Sequence, residues 1–136
     1  MPVIRNAQRR RTQTPNAVMT TLASPTQGGA ATAVWRVDMQ PGQAGPLHAI
    51  DAEQILTVLE GGAKVRLGAE TIRVGPGDTL VMPANLPRQI TADAQVGIVA
   101  IGAAPAGMLA YALDGSVVGA HCATPVGDKL VPAWVA

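Results

Sequence analysis

Glycine and proline cut this chain into pieces too short for helices. The 136 residues hold 15 Gly and 11 Pro, and the pieces between them are strand-sized, recurring roughly every eight to twelve residues. No segment keeps an apolar face at the helical period, whereas several alternate with period two. The plainest is Ala31 to Met39, where Trp35, Val37 and Met39 share one face and Arg36 and Asp38 take the other. Asn16 to Ala23 reads as a strand and Ser24 to Gly29 as a turn. Gln54 to Leu59 is a strand bounded by Gly61 and Gly62. Lys64 to Leu67 and Thr71 to Val74 flank Gly68, Ala69 and Glu70 as a hairpin. Thr79 to Met82, Arg88 to Thr91, Gln95 to Ile101 and Met108 to Leu113 follow, separated by turns at 75–78, 83–87 and 102–107, with Asp114-Gly115 a last turn signal. The pattern predicts an all-β sandwich or barrel.

Hydrophobic residues make up 48% of the chain and charged residues 14%, with a formal net charge of +1. One domain with one buried core fits this length, and no global field favours nucleic acid. Phe is absent beside two Trp and one Tyr, so the stacking platforms of single-strand binders are missing. The single cysteine, Cys122, excludes an internal disulfide. The opening MPVIRNAQRRR lacks the apolar run of a secretion signal, which makes cytoplasmic the expected location. Ala94 to Leu113 carries no charge and approaches the length of a membrane span. Gln95, Pro105 and three glycines make two strands the better reading, so no membrane is expected. Arg5, Arg9, Arg10 and Arg11 are too few for a nucleic-acid patch and read as a solvated tail or a strand leaning on a partner subunit. The chain divides into an N-terminal arm or strand (1–23) that would pair across a homodimer, a barrel (24–118) and a tail packing on it (119–136).

Two stretches carry more than periodicity. In 42–61, GQAGPLHAIDAEQILTVLEG, the positions Gly42, His48, Ile50, Gln54 and Gly61 stand at set intervals. In 77–92, GDTLVMPANLPRQITA, so do Gly77, Pro83, Asn85, Arg88 and Ala92. With Val58-Leu59-Glu60-Gly61 and Pro76-Gly77-Asp78, these stretches resemble the two sequence motifs of the cupin superfamily. The resemblance implies a double-stranded β-helix, the jelly-roll barrel. In metal-binding cupins two His, a Glu and a later His hold a divalent ion. Here only His48 remains, and Ile50, Gln54 and Arg88 occupy the other places. One imidazole and a neutral amide are a poor set for a transition metal, and a guanidinium does not ligate. The expectation is a metal-independent cupin without cofactor.

Strand parity then puts His48, Ile50, Gln54, Leu56 and Val58 on one side, facing a cavity with few polar groups. Trp35 and Met82 are expected to share that wall. A buried Arg88 needs an internal carboxylate, with Asp38, Asp51, Glu53 and Glu60 as candidates, or an anionic ligand. With an anionic or polar metabolite bound, His48 is the expected acid or base and Arg88 the stabiliser of an oxyanion, with Gln54 orienting a carbonyl. That constellation suits an isomerase, epimerase, cyclase or lyase. A non-catalytic binding cupin is the alternative, and a metal cupin using Glu53 or His121 a third. Tyr111 reads as packing. His121 and Cys122, neighbours on opposite faces of a strand, are not expected to work as a dyad.

Overall fold

The computed structural model describes residues 3–113 and 125–136. Within them twelve strands form two six-stranded sheets: β1 (Arg10–Gln13), β2 (Val18–Ala23), β3 (Thr32–Met39), β4 (His48–Ile50), β5 (Gln54–Gly61), β6 (Ala63–Leu67), β7 (Glu70–Val74), β8 (Thr79–Met82), β9 (Arg88–Ala92), β10 (Ile98–Pro105), β11 (Ala110–Leu113) and β12 (Pro125–Leu130). The first sheet runs β1-β2-β3-β10-β5-β8 and the second β12-β11-β4-β9-β6-β7. From β3 to β6, and again from β7 to β11, the chain changes sheet at every step. This is the jelly-roll winding expected from the two motifs.

Alternation decides which side chains meet between the sheets. On β3, Ala33, Trp35, Val37 and Met39 are buried. On β5, Gln54, Leu56 and Val58 are buried while Ile55 and Leu59 stay exposed, so Gln54 faces the interior as its parity requires. Ile50 and Val65 close the core from the second sheet.

Three sequence expectations change. The turn placed at 102–107 shrinks to Ala106 and Gly107, and β10 continues to Pro105. Gly102 lies mid-strand between Trp35 on β3 and Leu56 on β5. A Cβ there would stand 2.6 Å from Trp35 Cε2 and Cζ2, so the glycine makes room for an indole rather than for a bend. The strand read from Gln95 starts only at Ile98, because Asp93 Oδ1 accepts from the Gln95 and Val96 N–H groups and folds a turn.

The third change concerns the ends. Segment 1–23, set apart as an arm, contributes β1 and β2, which pair with each other and with β3 of the same chain. Residues 125–130, read as without period, form β12 against β11. A short 3-10 turn at Ala133–Val135 then docks on the first sheet. Thr21 Oγ1 donates to Trp134 O at 2.7 Å and Ser24 Oγ to Ala136 O at 2.7 Å. Arg10 Nη2 donates to Ala133 O and Ala136 O, so this arginine serves as a strap rather than a solvated charge. Asp114-Gly115, His121 and Cys122 lie outside the described residues. The stretch 94–113 forms a turn and two strands, and no helix among the described residues is long and apolar enough to cross a membrane.

Candidate functional site

Between the sheets lies a cavity of about 560 Å³, a size that suits one small organic molecule. Trp35, Ile50, Leu56, Gln54 and His48 line it. Val58 and Met82 are buried but are not part of its wall; they pack in the core. Met19, Met39, Met108 and Trp134 line it too. Parity on β3 already hinted at Met39. Trp134 was the least legible, since it stands in a tail with no period.

His48 is the first residue of β4. Its Nδ1 lies 2.9 Å from Pro46 O. A carbonyl only accepts, so Nδ1 carries the proton and Nε2 keeps its lone pair. The group sits below the ordinary imidazole pKa, first because of burial and also because of the Arg88 charge, with the Pro46 bond opposing both. His48 is therefore a neutral base near neutral pH.

Arg88, paired with His48 across β4 and β9, is fully buried. The carboxylate proposed for it is not there. Asp38 pairs with Arg36 at 2.8 Å, and Asp51 Oδ1 accepts from Leu109 N. Arg88 instead donates from Nε and Nη2 to Leu86 O, from Nη2 to Pro83 O at 2.7 Å, and from Nη1 to Gln54 Oε1 at 3.3 Å. Carbonyl oxygens thus satisfy the buried charge, which a fixed planar fork does well. Burial lowers its pKa to about 10, with Tyr111 opposing, so it stays charged at neutral pH. Arg88 is not among the cavity-lining residues, and none of the described lining residues is Lys or Arg. The guanidinium reaches the site through Gln54, the second-sheet residue gripping a first-sheet amide.

That grip has a consequence. The guanidinium can only donate, so the Gln54 oxygen must face it, and the amide N–H₂ is left over. Gln54 is 9% exposed and lines the cavity. Its nitrogen has no partner among the described residues, so it offers donors into an apolar space. Tyr111 pairs with Ala49 on β4, on the opposite face from His48. Its hydroxyl donates to Asn85 Oδ1 at 2.9 Å and Lys129 Nζ stacks 4.9 Å above its ring, and Tyr111, read from the sequence as packing, also lines the cavity. Asn85 itself has φ 62°, a conformation that Asn tolerates better than most residues; it stands where the cupin motif has glycine.

The residues do not fit the metal of the resemblance. The four positions hold a half-buried imidazole, the apolar Ile50, the amide of Gln54 and the guanidinium of Arg88, which takes the amide oxygen. No group of three or more His, Cys, Asp or Glu gathers among the described residues.

Residues 35–101 match the family described as the cupin domain, and the described residues fold as a small cupin barrel. Among solved structures, it is similar to the polyketide cyclase RemF from Streptomyces resistomycificus, with 21% identity and a TM-score of 0.65 over 77% of this chain and 79% of that one. It is also similar to KdgF from Halomonas sp., with 21% identity and a TM-score of 0.64 over 77% and 94%. For oxalate decarboxylase from Bacillus subtilis the identity is 18% and the TM-score 0.65, over 73% of this chain but only 28% of that one. At these identities the likeness is one of fold. No curated protein sequence matches the chain.

Proposed function

We propose that this cupin takes a small, mostly apolar molecule into its barrel and moves a proton on it without a metal. His48 Nε2 removes a proton from carbon beside a carbonyl. The electron pair moves onto the carbonyl oxygen, which accepts a hydrogen bond from the Gln54 amide. Return of the proton to another carbon is an isomerisation; loss of a leaving group from the neighbouring carbon is a lyase reaction; attack of the enolate on a second carbonyl of the same molecule is a cyclisation. Arg88 is a positioning residue here. It fixes the Gln54 amide, and its charge adds to the burial that keeps His48 unprotonated. Of the polar or anionic metabolites expected from the sequence, the anionic ones give way to neutral ones, because the cation that would have held the anion is spent on main-chain carbonyls.

The observation that carries this reading is the Nδ1 contact of His48 with Pro46 O, which leaves a free base in an apolar wall. The polyketide cyclase among the fold neighbours supports it by analogy of name and fold. The test uses 1-decalone in D₂O, with NMR reading deuterium uptake beside the carbonyl. The protein should accelerate exchange, and His48→Ala should slow it by about 100-fold while 1-decalone still binds. Exchange unchanged in the variant removes the catalytic reading; binding without exchange in the parent leaves a binding module.

The homodimer and the cytoplasmic setting belong to the same proposal. Ile55 and Val81 face each other across β5 and β8 on the outer side of the first sheet and are both exposed, an apolar surface that a second copy would cover. A monomer in light scattering rules this out.

A further inference from the structure

The composition of the cavity wall says more about its occupant than the polar groups do. The chain has two Trp, no Phe and five Met. Both indoles, Trp35 and Trp134, line the cavity, as do three methionines, Met19, Met39 and Met108. A β core packs well from Val, Ile and Leu, so spending every indole here is a choice of surface. Indole faces prefer offset stacking or edge contacts with another π system, and thioethers favour ring edges. Both gains vanish against a saturated hydrocarbon of the same volume.

Trp35 adds a second observation. It is 2% exposed, and its indole lies over Gly102, the strand neighbour of Leu56 on β5. The indole N–H has no acceptor among the described residues. It is not one of the fully enclosed unpartnered atoms, so it stays open to an acceptor in the cavity. The Gln54 amide is in the same position. Two donors and one imidazole lone pair, beside Thr14, Asn16, Tyr111 and Asp128 and with no lining Lys or Arg among the described residues, match an uncharged rather than an anionic ligand, one with carbonyl or phenol oxygens.

We infer that the cavity takes a neutral, fused-ring aromatic molecule carrying carbonyl or phenol oxygens, stacked on Trp35 or Trp134. This names the substrate class of the proposed function and rests on the same cavity, but not on catalysis by His48. The flat rings recognise the indoles and thioethers, and the oxygens recognise the N–H groups.

Isothermal titration calorimetry of the full chain tests it with three matched probes. 2-Naphthol and decahydro-2-naphthol share a skeleton and a hydroxyl but differ in planarity; naphthalene-2-sulfonate keeps the rings and adds a charge. The expected result is that 2-naphthol binds, and binds about tenfold more tightly than the saturated alcohol, with the sulfonate weakest. Trp134→Leu, a change in the half-buried tail, should weaken 2-naphthol about fivefold and leave the saturated alcohol unaffected. Equal binding of the two alcohols, tighter binding of the sulfonate, or no binding of 2-naphthol overturns the inference. The outcomes separate from those of the proton-transfer reading. Unchanged exchange in His48→Ala sinks catalysis while the aromatic preference stands, and lost preference with His48-dependent exchange does the reverse.

Discussion

His48 and Arg88 face each other in register across β4 and β9, yet the structure treats them in opposite ways. Arg88 has oxygens on Nε, Nη1 and Nη2, all supplied by the chain itself. His48 has one nitrogen satisfied by Pro46 and the other left to the cavity. A buried polar group that the protein fully satisfies is part of the fold. One that the protein half satisfies is waiting for something else. By this measure Arg88 belongs to the architecture and His48 to the chemistry.

The largest effect should come from Arg88→Met. It orphans Pro83 O, Leu86 O and Gln54 Oε1 together, and urea unfolding should show a loss of about 3 kcal/mol. Full stability with lost ligand binding would invert the comparison. Gly102→Ala should cost about 2 kcal/mol, because its Cβ meets Trp35 Cε2 and Cζ2 at 2.6 Å and drives the indole into the cavity. Ligand affinity should fall along with the melting temperature, whereas stability lost with affinity intact would show that the indole edge is not part of the site. Asn85→Gly keeps the positive φ but removes the acceptor for Tyr111. A loss of about 1 kcal/mol is expected, together with looser seating of Arg88 in the 83–87 loop; no change in thermal unfolding would detach Tyr111 from that loop.

The pH dependence is smaller and belongs to His48. Its folded pKa lies below the ordinary 6.5, so the unfolded chain binds a proton that the folded chain refuses. The stability tied to this group is fully present above that ordinary value and is lost as pH falls through it toward the folded value. Arg88 is the charge that acts on it, and Asp128 is the one acidic residue on the lining of the same cavity among the described residues. His48→Phe should flatten this part of the stability curve below neutral pH, and a curve of unchanged slope would assign the titration elsewhere.

Much of the barrel was legible because half-buried strands print their alternation in the sequence. Trp35, Val37 and Met39 gave β3, and Gln54, Leu56 and Val58 gave the inner face of β5. Gly102 misled because a strand glycine and a turn glycine look alike; only the indole across the sheet tells them apart. The tail was unreadable since Thr21, Ser24 and Arg10 hold it through main-chain oxygens, which leave no mark on the sequence. Arg88 was rightly placed inside, but its partners were sought among carboxylates. Carbonyls of residues 83 and 86 are as invisible to sequence reading as any other main-chain acceptor.

Long-range ¹H–¹⁵N NMR of the imidazoles measures the state of His48 directly, with a His48→Asn variant to separate its signals from those of His121. At neutral pH the structure predicts Nδ1 protonated, Nε2 bare, and a titration midpoint below 6.5. An Nε2–H tautomer or an imidazolium at neutral pH would contradict it, leaving a barrel without its base.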